Sequence, residues 1–372
     1  MSSYRPFVLF IVLQAFLLCR VSSQQSIESY EILMQISGLQ VVTDDFYDTG
    51  LFPCQRSWLN MMEPVADNNI FITTSIGYIL RSIQERVDEK SSKEIGNILR
   101  NMNPLYEKYY SRKKKPAYNF WQTTSPDLPF PNGGKLLSRV GYRLPDDYDV
   151  TSLIRLADGR AAIADKEIRD EMVSYAKRSD RKPVEKTLDK YKGHLAYEVF
   201  YVDKMDQVYD VSAMCNVLLF VFDREYPLNA IDKNTIQFVK QVIQEGDHKK
   251  NPEAISPYYR STVWILYHVS RLLAADRVGA FDDIKSIVIH DLNELLGEEL
   301  STMELLVLHN SLLRLGERPK NVHFELNDVE KELKEFVFFQ AKFSQMSWLG
   351  TMKWSSQALN LTLLYENRVL SK

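Results

Sequence analysis

Cysteine is scarce in this chain. Three occur in 372 residues, Cys19, Cys54 and Cys215. There is no Cys-x-x-Cys pair, no His-Glu-x-x-His sequence and no grouping among the six histidines, so no metal or other cofactor is expected. Positive charge is not in excess either: 46 Lys and Arg stand against 49 Asp and Glu, which argues against a nucleic-acid or anionic-membrane partner. Runs that alternate apolar and polar residues, as half-buried strands do, are absent. After the first 20 residues no stretch approaches the roughly 20 apolar residues that a membrane helix needs.

The N-terminus reads differently. In MSSYRPFVLFIVLQAFLLCRVSSQQ, Arg5 precedes a largely apolar core from Phe7 to Leu18, and Val21 and Ser23 suit cleavage by signal peptidase. The core is too short to span a bilayer comfortably, so residues 1–23 are expected to be a secretory signal peptide and the mature chain a secreted, extracellular protein without a membrane segment. Arg5 and Arg20 leave with the signal, reducing the 46 basic residues to 44 against 49 acidic ones. Cys54 and Cys215 then remain, as one disulfide or as two thiols. The single glycosylation sequon, Asn360-Leu361-Thr362, stays unmodified if its helix is buried.

What the sequence does have is helical periodicity. Ile76, Ile79, Leu80, Ile83 and Val87 follow one helix face, as do Val211, Met214, Cys215, Leu218 and Phe222. Leu305, Leu308, Leu312 and Leu315 form another such face, closed by Gly316. Polar helices intervene, including one expected over 328–343. The irregular stretch 112–147, rich in Pro and Gly, reads as a surface excursion, and its SRKKKP run as a solvated loop or a docking site.

The apolar helices begin alike. Small hydroxyl residues open them near Phe71-Ile72-Thr73, Tyr148-Asp149-Val150-Thr151, Tyr209-Asp210-Val211-Ser212, Tyr259-Arg260-Ser261, Ser301-Thr302 and Trp354-Ser355-Ser356. Six such starts, separated by polar helices, predict an all-α fold, a six-hairpin α/α toroid over residues 24–372 with inner helices starting near Phe71, Thr151, Val211, Thr262, Thr302 and Ser355. A linear superhelix uses the same repeat, but no polar capping unit is evident at either end.

In a toroid the N-terminal ends of the inner helices gather at one mouth. Asp147, Asp149 and Asp210 would converge there with Tyr148, Tyr209 and Tyr259. Capping explains one or two of these acids. Crowding that raises a carboxyl pKa would also make a general acid. Trp121, Trp354 and His268 are further candidates to line a ligand site, with packing as the alternative reading of the aromatics.

The stretch DDYDVTS resembles the Asp-x-Asp-Asp-Thr motif of the terpenoid cyclase/prenyltransferase superfamily, with Val150 in place of the last acid. The resemblance implies an α/α toroid, with Asp149 as proton donor, Asp147 as its hydrogen-bond partner and aromatics stabilising positive charge. It also implies a ligand, a small molecule, bound at the mouth. Two other classes fit the same architecture. A glycoside hydrolase or polysaccharide lyase on a six-hairpin barrel would bind a glycan and pair Asp149 with Asp210 or Glu304. A non-catalytic extracellular module would bind a protein partner. The sequence leaves the oligomeric state open.

Overall fold

The caps explain the repeated helix starts. In the computed structural model, which describes residues 28–58, 63–124, 144–159, 163–177, 184–201, 207–319, 324, 326–329, 332, 336–342 and 351–372, five of the six apolar helices begin where a side chain accepts from the first turn. Asn69 caps Ile70–Ile83 through the Ile72 amide, and Asp147 caps Tyr148–Asp158 through Val150. Asp210 takes the amides of Ser212 and Ala213 above Val211–Asp223. Ser261 caps Thr262–Ala275, and Ser301 forms a full capping box with Glu304 above Thr302–Arg314. Before the last helix, Gln357–Leu370, Ser356 instead donates to the Pro53 carbonyl at 2.8 Å.

Labelling the longer helices in chain order gives α1 (28–39), α2 (Ile70–Ile83), α3 (Glu89–Met102), α4 (Tyr148–Asp158), α5 (Ile163–Ala176) and α6 (Val211–Asp223). They continue with α7 (Ala230–Gln244), α8 (Thr262–Ala275), α9 (Asp282–Leu295), α10 (Thr302–Arg314) and α11 (Gln357–Leu370). Among the described residues α2, α4, α6, α8, α10 and α11 are the apolar ones, buried nearly all round. Each packs on the next, and α11 packs back on α2. Polar helices pack against these: α3 against α2, α7 against α6, and α9 against α8 and α10. They bury one stripe only; α3 buries Ser91, Ile95, Ile98 and Met102. Close approach at one seam depends on Gly77, where a Cβ would meet the Ala157 Cβ of α4 at 3.0 Å and the Met102 side chain of α3 at 2.5 Å. One contiguous apolar core runs from Ile32 to Val369.

Strands are present, contrary to the reading of the sequence. β1 (Cys54–Trp58), β2 (Val65–Asp67), β5 (Val337–Lys342) and β6 (Thr351–Ser355) form an antiparallel sheet in the order β2-β1-β6-β5. β3 (Val184–Lys186) and β4 (Gln207–Val208) form a parallel pair. The expected polar helix over 328–343 is a correction: a short helix at Leu326–Val329 gives way to β5. A bulge between Val337 and Phe339 breaks the alternation of β5, so Phe338 and Phe339 both pack on Phe71 and Tyr259, and both are buried. The strand therefore lacks the alternation that would have betrayed it. β2, β4 and β6 lead directly into the N-terminal ends of α2, α6 and α11, and the Gln340 amide of β5 donates to Tyr258 just before α8. The sheet thus lies over the N-terminal ends of the apolar helices.

The expected signal peptide lies outside the described residues, as does 125–143 of the excursion. No helix among the described residues is long and apolar enough to cross a membrane. Cys54 and Cys215 are buried free thiols, so of the two readings the disulfide is set aside. The Asn360 side chain is buried in α11, 3.3 Å from the Phe336 carbonyl it donates to, and inaccessible to glycosylation.

Candidate functional site

The three aspartates meet at the N-terminal ends of the apolar helices, and each is committed to the fold. Asp149 is buried in the first turn of α4. Its Oδ1 accepts from the Asn216 amide at 2.6 Å and its Oδ2 from the Tyr259 hydroxyl at 2.6 Å. Asp210 Oδ1 accepts from Ser256 Oγ at 2.6 Å and from the α6 amides, while Oδ2 takes the Tyr258 amide at 2.8 Å. Asp147 accepts from Val150 N at 3.0 Å, and its own backbone bridges Tyr118 and Phe200.

Burial acts on all three, and the charge of Asp149 adds to it at Asp147 and Asp210. Burial, then the charge of Asp149, holds the Asp147 carboxyl well above the usual range. Burial raises Asp149 too, against the opposing hydrogen bonds of Tyr259 and Asn216. Burial pushes Asp210 up to about 7 despite its hydrogen bonds to Ser256 and the backbone.

The aromatic candidates divide. Tyr259 is fully buried beside His268, ring centres 4.4 Å apart. Trp354 packs on Phe120 at 5.8 Å and Phe339 at 5.2 Å, and Trp121 on Phe120 at 4.7 Å. With Phe71 and Tyr258 these rings form a continuous aromatic layer between the helix ends and β5. Tyr148 and Tyr209 belong elsewhere. Tyr148 stacks on Tyr201 at 4.0 Å and donates to the Met172 carbonyl of α5. Tyr209 donates to the His194 carbonyl and packs on Phe238 of α7. Both therefore pack against the polar helices, α5 and α7. His268 Nδ1 lies 2.8 Å from the Trp264 carbonyl one turn back, and burial, then Arg271, lowers its pKa well below the ordinary value. Glu304 is spent in its capping box.

Two features escaped the sequence reading. The first is Asp67 at the end of β2, wholly buried. It accepts from the indoles of Trp121 at 3.0 Å and Trp354 at 3.3 Å, from the Asn69 backbone and side chain, and pairs with Arg56 at 3.3 Å. The second is a polar chain to which all six apolar helices contribute. From Asp149 (α4) it passes through Asn216 (α6) to Arg271 (α8), whose Nη2 donates to Asn216 Oδ1 at 3.3 Å. The Arg271 guanidinium lies over the rings of Tyr78 (α2) at 4.3 Å and Tyr267 at 5.3 Å. Tyr267 donates to Glu366 Oε2 (α11) at 2.8 Å, and Asn310 (α10) to the same oxygen at 3.0 Å. Arg314 (α10) pairs with Glu366 and donates to Ser82 Oγ (α2) at 2.9 Å. The available signal was a polar residue set inside an otherwise apolar helix, as Asn216 is in VSAMCNVLLFVF and Arg271 in TVWILYHVSRLLAA.

Among the described residues one group has metal-ligand proximity, His290, Asp291 and Glu294 on α9. The Lys249 ammonium already sits there, 2.7 Å from Asp291 and 3.1 Å from Glu294, while His248 Nε2 lies 2.8 Å from the other Asp291 oxygen. The chain supplies its own cation at this point. Compared with models of known protein families and with curated protein sequences, the chain matches none.

The buried acids set a pH dependence. A carboxyl whose pKa is raised on folding holds its proton more tightly in the folded chain, so stability is lost as pH rises through that pKa. For Asp210, with an ordinary value of 3.8 and a folded value of about 7, the contribution is complete below 3.8 and gone above about 7. Between pH 6.5 and 8 it amounts to about 0.8 kcal/mol, and Asp147 and Asp149 act in the same direction. His268, its pKa lowered by burial and Arg271, acts oppositely, favouring the folded chain above its ordinary 6.5 and withdrawing that support as pH falls. Stability should therefore fall as pH rises from 6.5 to 8, and Asp210→Asn should make that fall shallower. Thermal midpoints across pH 5–8.5 check this; midpoints that rise from 6.5 to 8 would refute it.

Proposed function

We propose that the chain is a secreted α/α toroid, the six apolar helices forming its inner barrel, and that it works as a non-catalytic binding module. The closed succession of helix contacts, with α11 returning to α2, supports the toroid. The observation that carries the functional reading is the polar chain contributed by all six inner helices, capped by the aromatic layer under β5. Cyclisation of an isoprenoid needs an apolar, elongated space and an acid whose proton faces the substrate. Here both Asp149 oxygens accept from protein donors, and Arg271 and Glu366 are set among the inner helices. Val150, where the cyclase motif has its last acid, is itself buried. Hydrolysis of a glycan requires two carboxyls with water or sugar between them, and Asp149 and Asp210 each have both oxygens engaged by the fold. Asp147 and Asp210 are more economically read as caps of α4 and α6, and Asp149 as the link from α4 to Asn216 and Tyr259. Binding then falls to the outer surface.

The test is protein recovered from the medium of a secretory cell. Its N-terminus is expected near Gln24, and native mass spectrometry with solvent extraction should return the bare polypeptide. Wild type and Asp149→Asn should be equally inert toward isoprenoid diphosphates, epoxides and glycans. A stoichiometric lipid, or turnover that Asp149→Asn abolishes, would restore the cyclase reading. Retention in the membrane fraction would overturn secretion.

A further inference from the structure

The longest unbroken run of basic residues in this acidic chain is the turn Arg112-Lys113-Lys114-Lys115. The turn is built as a rigid loop. Ser111 N donates to the Ala117 carbonyl at 2.9 Å, Lys114 N to Ser111 O at 3.0 Å and Ala117 N to Lys115 O at 2.8 Å. Tyr110 and Tyr118 bridge its base, their rings edge-on at 5.5 Å. Ser111 Oγ donates to Asp146 at 2.5 Å, fastening the turn beside the cap of α4. Lys114 holds a left-handed backbone, φ 53°, which favours Gly or Asn. Gly would keep the turn; Lys keeps the turn and adds a cation. The long side chains are partly immobilised in advance. Arg112 Nε donates to the Thr123 carbonyl at 2.6 Å, and Lys115 pairs with Glu171 at 2.8 Å and lies over the Tyr175 ring. Arg112, Lys113 and Lys114 are exposed at the tip.

We infer that this turn is a docking point for a sulfated linear polysaccharide of the heparin type, deepening the binding-module reading by naming a partner for its outer surface. Single exposed ion pairs are weak and screened, so a small anion gains little here. A polyanion that engages three adjacent cations and releases its own counterions gains from all of them. An anionic bilayer fits less well. Of the turn's apolar residues Ala117 is buried, Pro116 half-buried and Tyr110 set at its base, and the tip itself is Arg112-Lys113-Lys114, so no apolar side chain leads the turn into the acyl region. The chain's net charge of −3 means that general electrostatic attraction does not supply the affinity. Whatever binding occurs must come from the turn.

The experiment is heparin surface plasmon resonance on the full secreted chain at about 0.15 M salt, beside flotation with phosphatidylserine vesicles. Wild type should bind heparin and not the vesicles. R112Q/K113Q/K114Q should weaken binding at least about tenfold, the scale expected for three exposed ion pairs, with an unchanged circular dichroism spectrum. A control with the same net charge change on outer helices, K166Q/K233Q/K285Q, should bind as wild type. Absence of heparin binding, equal loss in the control, an unaffected turn variant, or vesicle binding without heparin binding would each overturn the assignment. None of these results depends on the barrel interior, so bound lipid found by mass spectrometry would count against the binding-module reading and leave this one standing.

Discussion

Glu366→Ala should cost about 3–5 kcal/mol of folding stability, the range for removing one partner of a buried ion pair. Glu366 is wholly buried and serves three donors at once: Arg314, Tyr267 and Asn310. Deleting the carboxylate strands the Arg314 guanidinium, which keeps only Ser82, and leaves the Tyr267 hydroxyl without this acceptor. Asn310 keeps the Leu363 carbonyl at 2.8 Å and suffers least. A loss of this size is a large part of the roughly 5–15 kcal/mol that holds a typical domain together. Glu366→Gln therefore serves as a companion, since it keeps an acceptor for Tyr267 and removes only the charge. Replacing both members, Glu366→Met with Arg314→Met, should cost less than Glu366→Ala alone, because two buried charges leave together. Urea denaturation followed by far-ultraviolet circular dichroism reads all four proteins. A loss under about 1 kcal/mol for Glu366→Ala would mean that water reaches the pair and that the apolar helices do not enclose a dry polar chain.

The starts of the apolar helices were legible because capping is local chemistry. Expected near Phe71, Thr151, Val211, Thr262, Thr302 and Ser355, they fall at Ile70, Tyr148, Val211, Thr262, Thr302 and Gln357. The same side chains that made the repeat visible, Asp147, Asp210, Ser261 and Ser301, are the caps. The acids of DDYDVTS were equally visible, yet their partners were not. Asn216 and Tyr259 reach Asp149 from 67 and 110 residues away. No local pattern distinguishes a carboxylate that will face a substrate from one that will be filled by a distant amide and hydroxyl. Side-chain direction was hidden for the same reason: Tyr148 precedes Asp149 by one position, about 100° around the helix, and so packs outward on α5. Asp67 had no signal at all. It sits in a polar stretch, VADNN, and its tryptophan partners lie 54 and 287 residues downstream.

That hidden residue carries the second large effect. Asp67→Ala should lower stability by about 3 kcal/mol or more, since it strips the counter-charge from buried Arg56 and an acceptor from two indoles. The consequence is also local. Asp67 ties β2 to Trp354 at the end of β6 and to Trp121 beside Phe120, so its carboxylate fastens the aromatic layer to the sheet above it. Without it both indole N–H groups lose this acceptor, and the layer should loosen at its Trp121 and Trp354 edge. Intrinsic fluorescence should shift to the red in the folded variant, before the unfolding transition begins. Asp67→Asn keeps one acceptor oxygen but loses the charge, and should fall between wild type and alanine in both readouts. If the alanine variant unfolds outright, that intermediate protein carries the fluorescence test. A folded variant with unshifted emission and a wild-type midpoint would mean that the layer is held by ring packing alone. Asp67 would then play no part in closing the ends of the apolar helices.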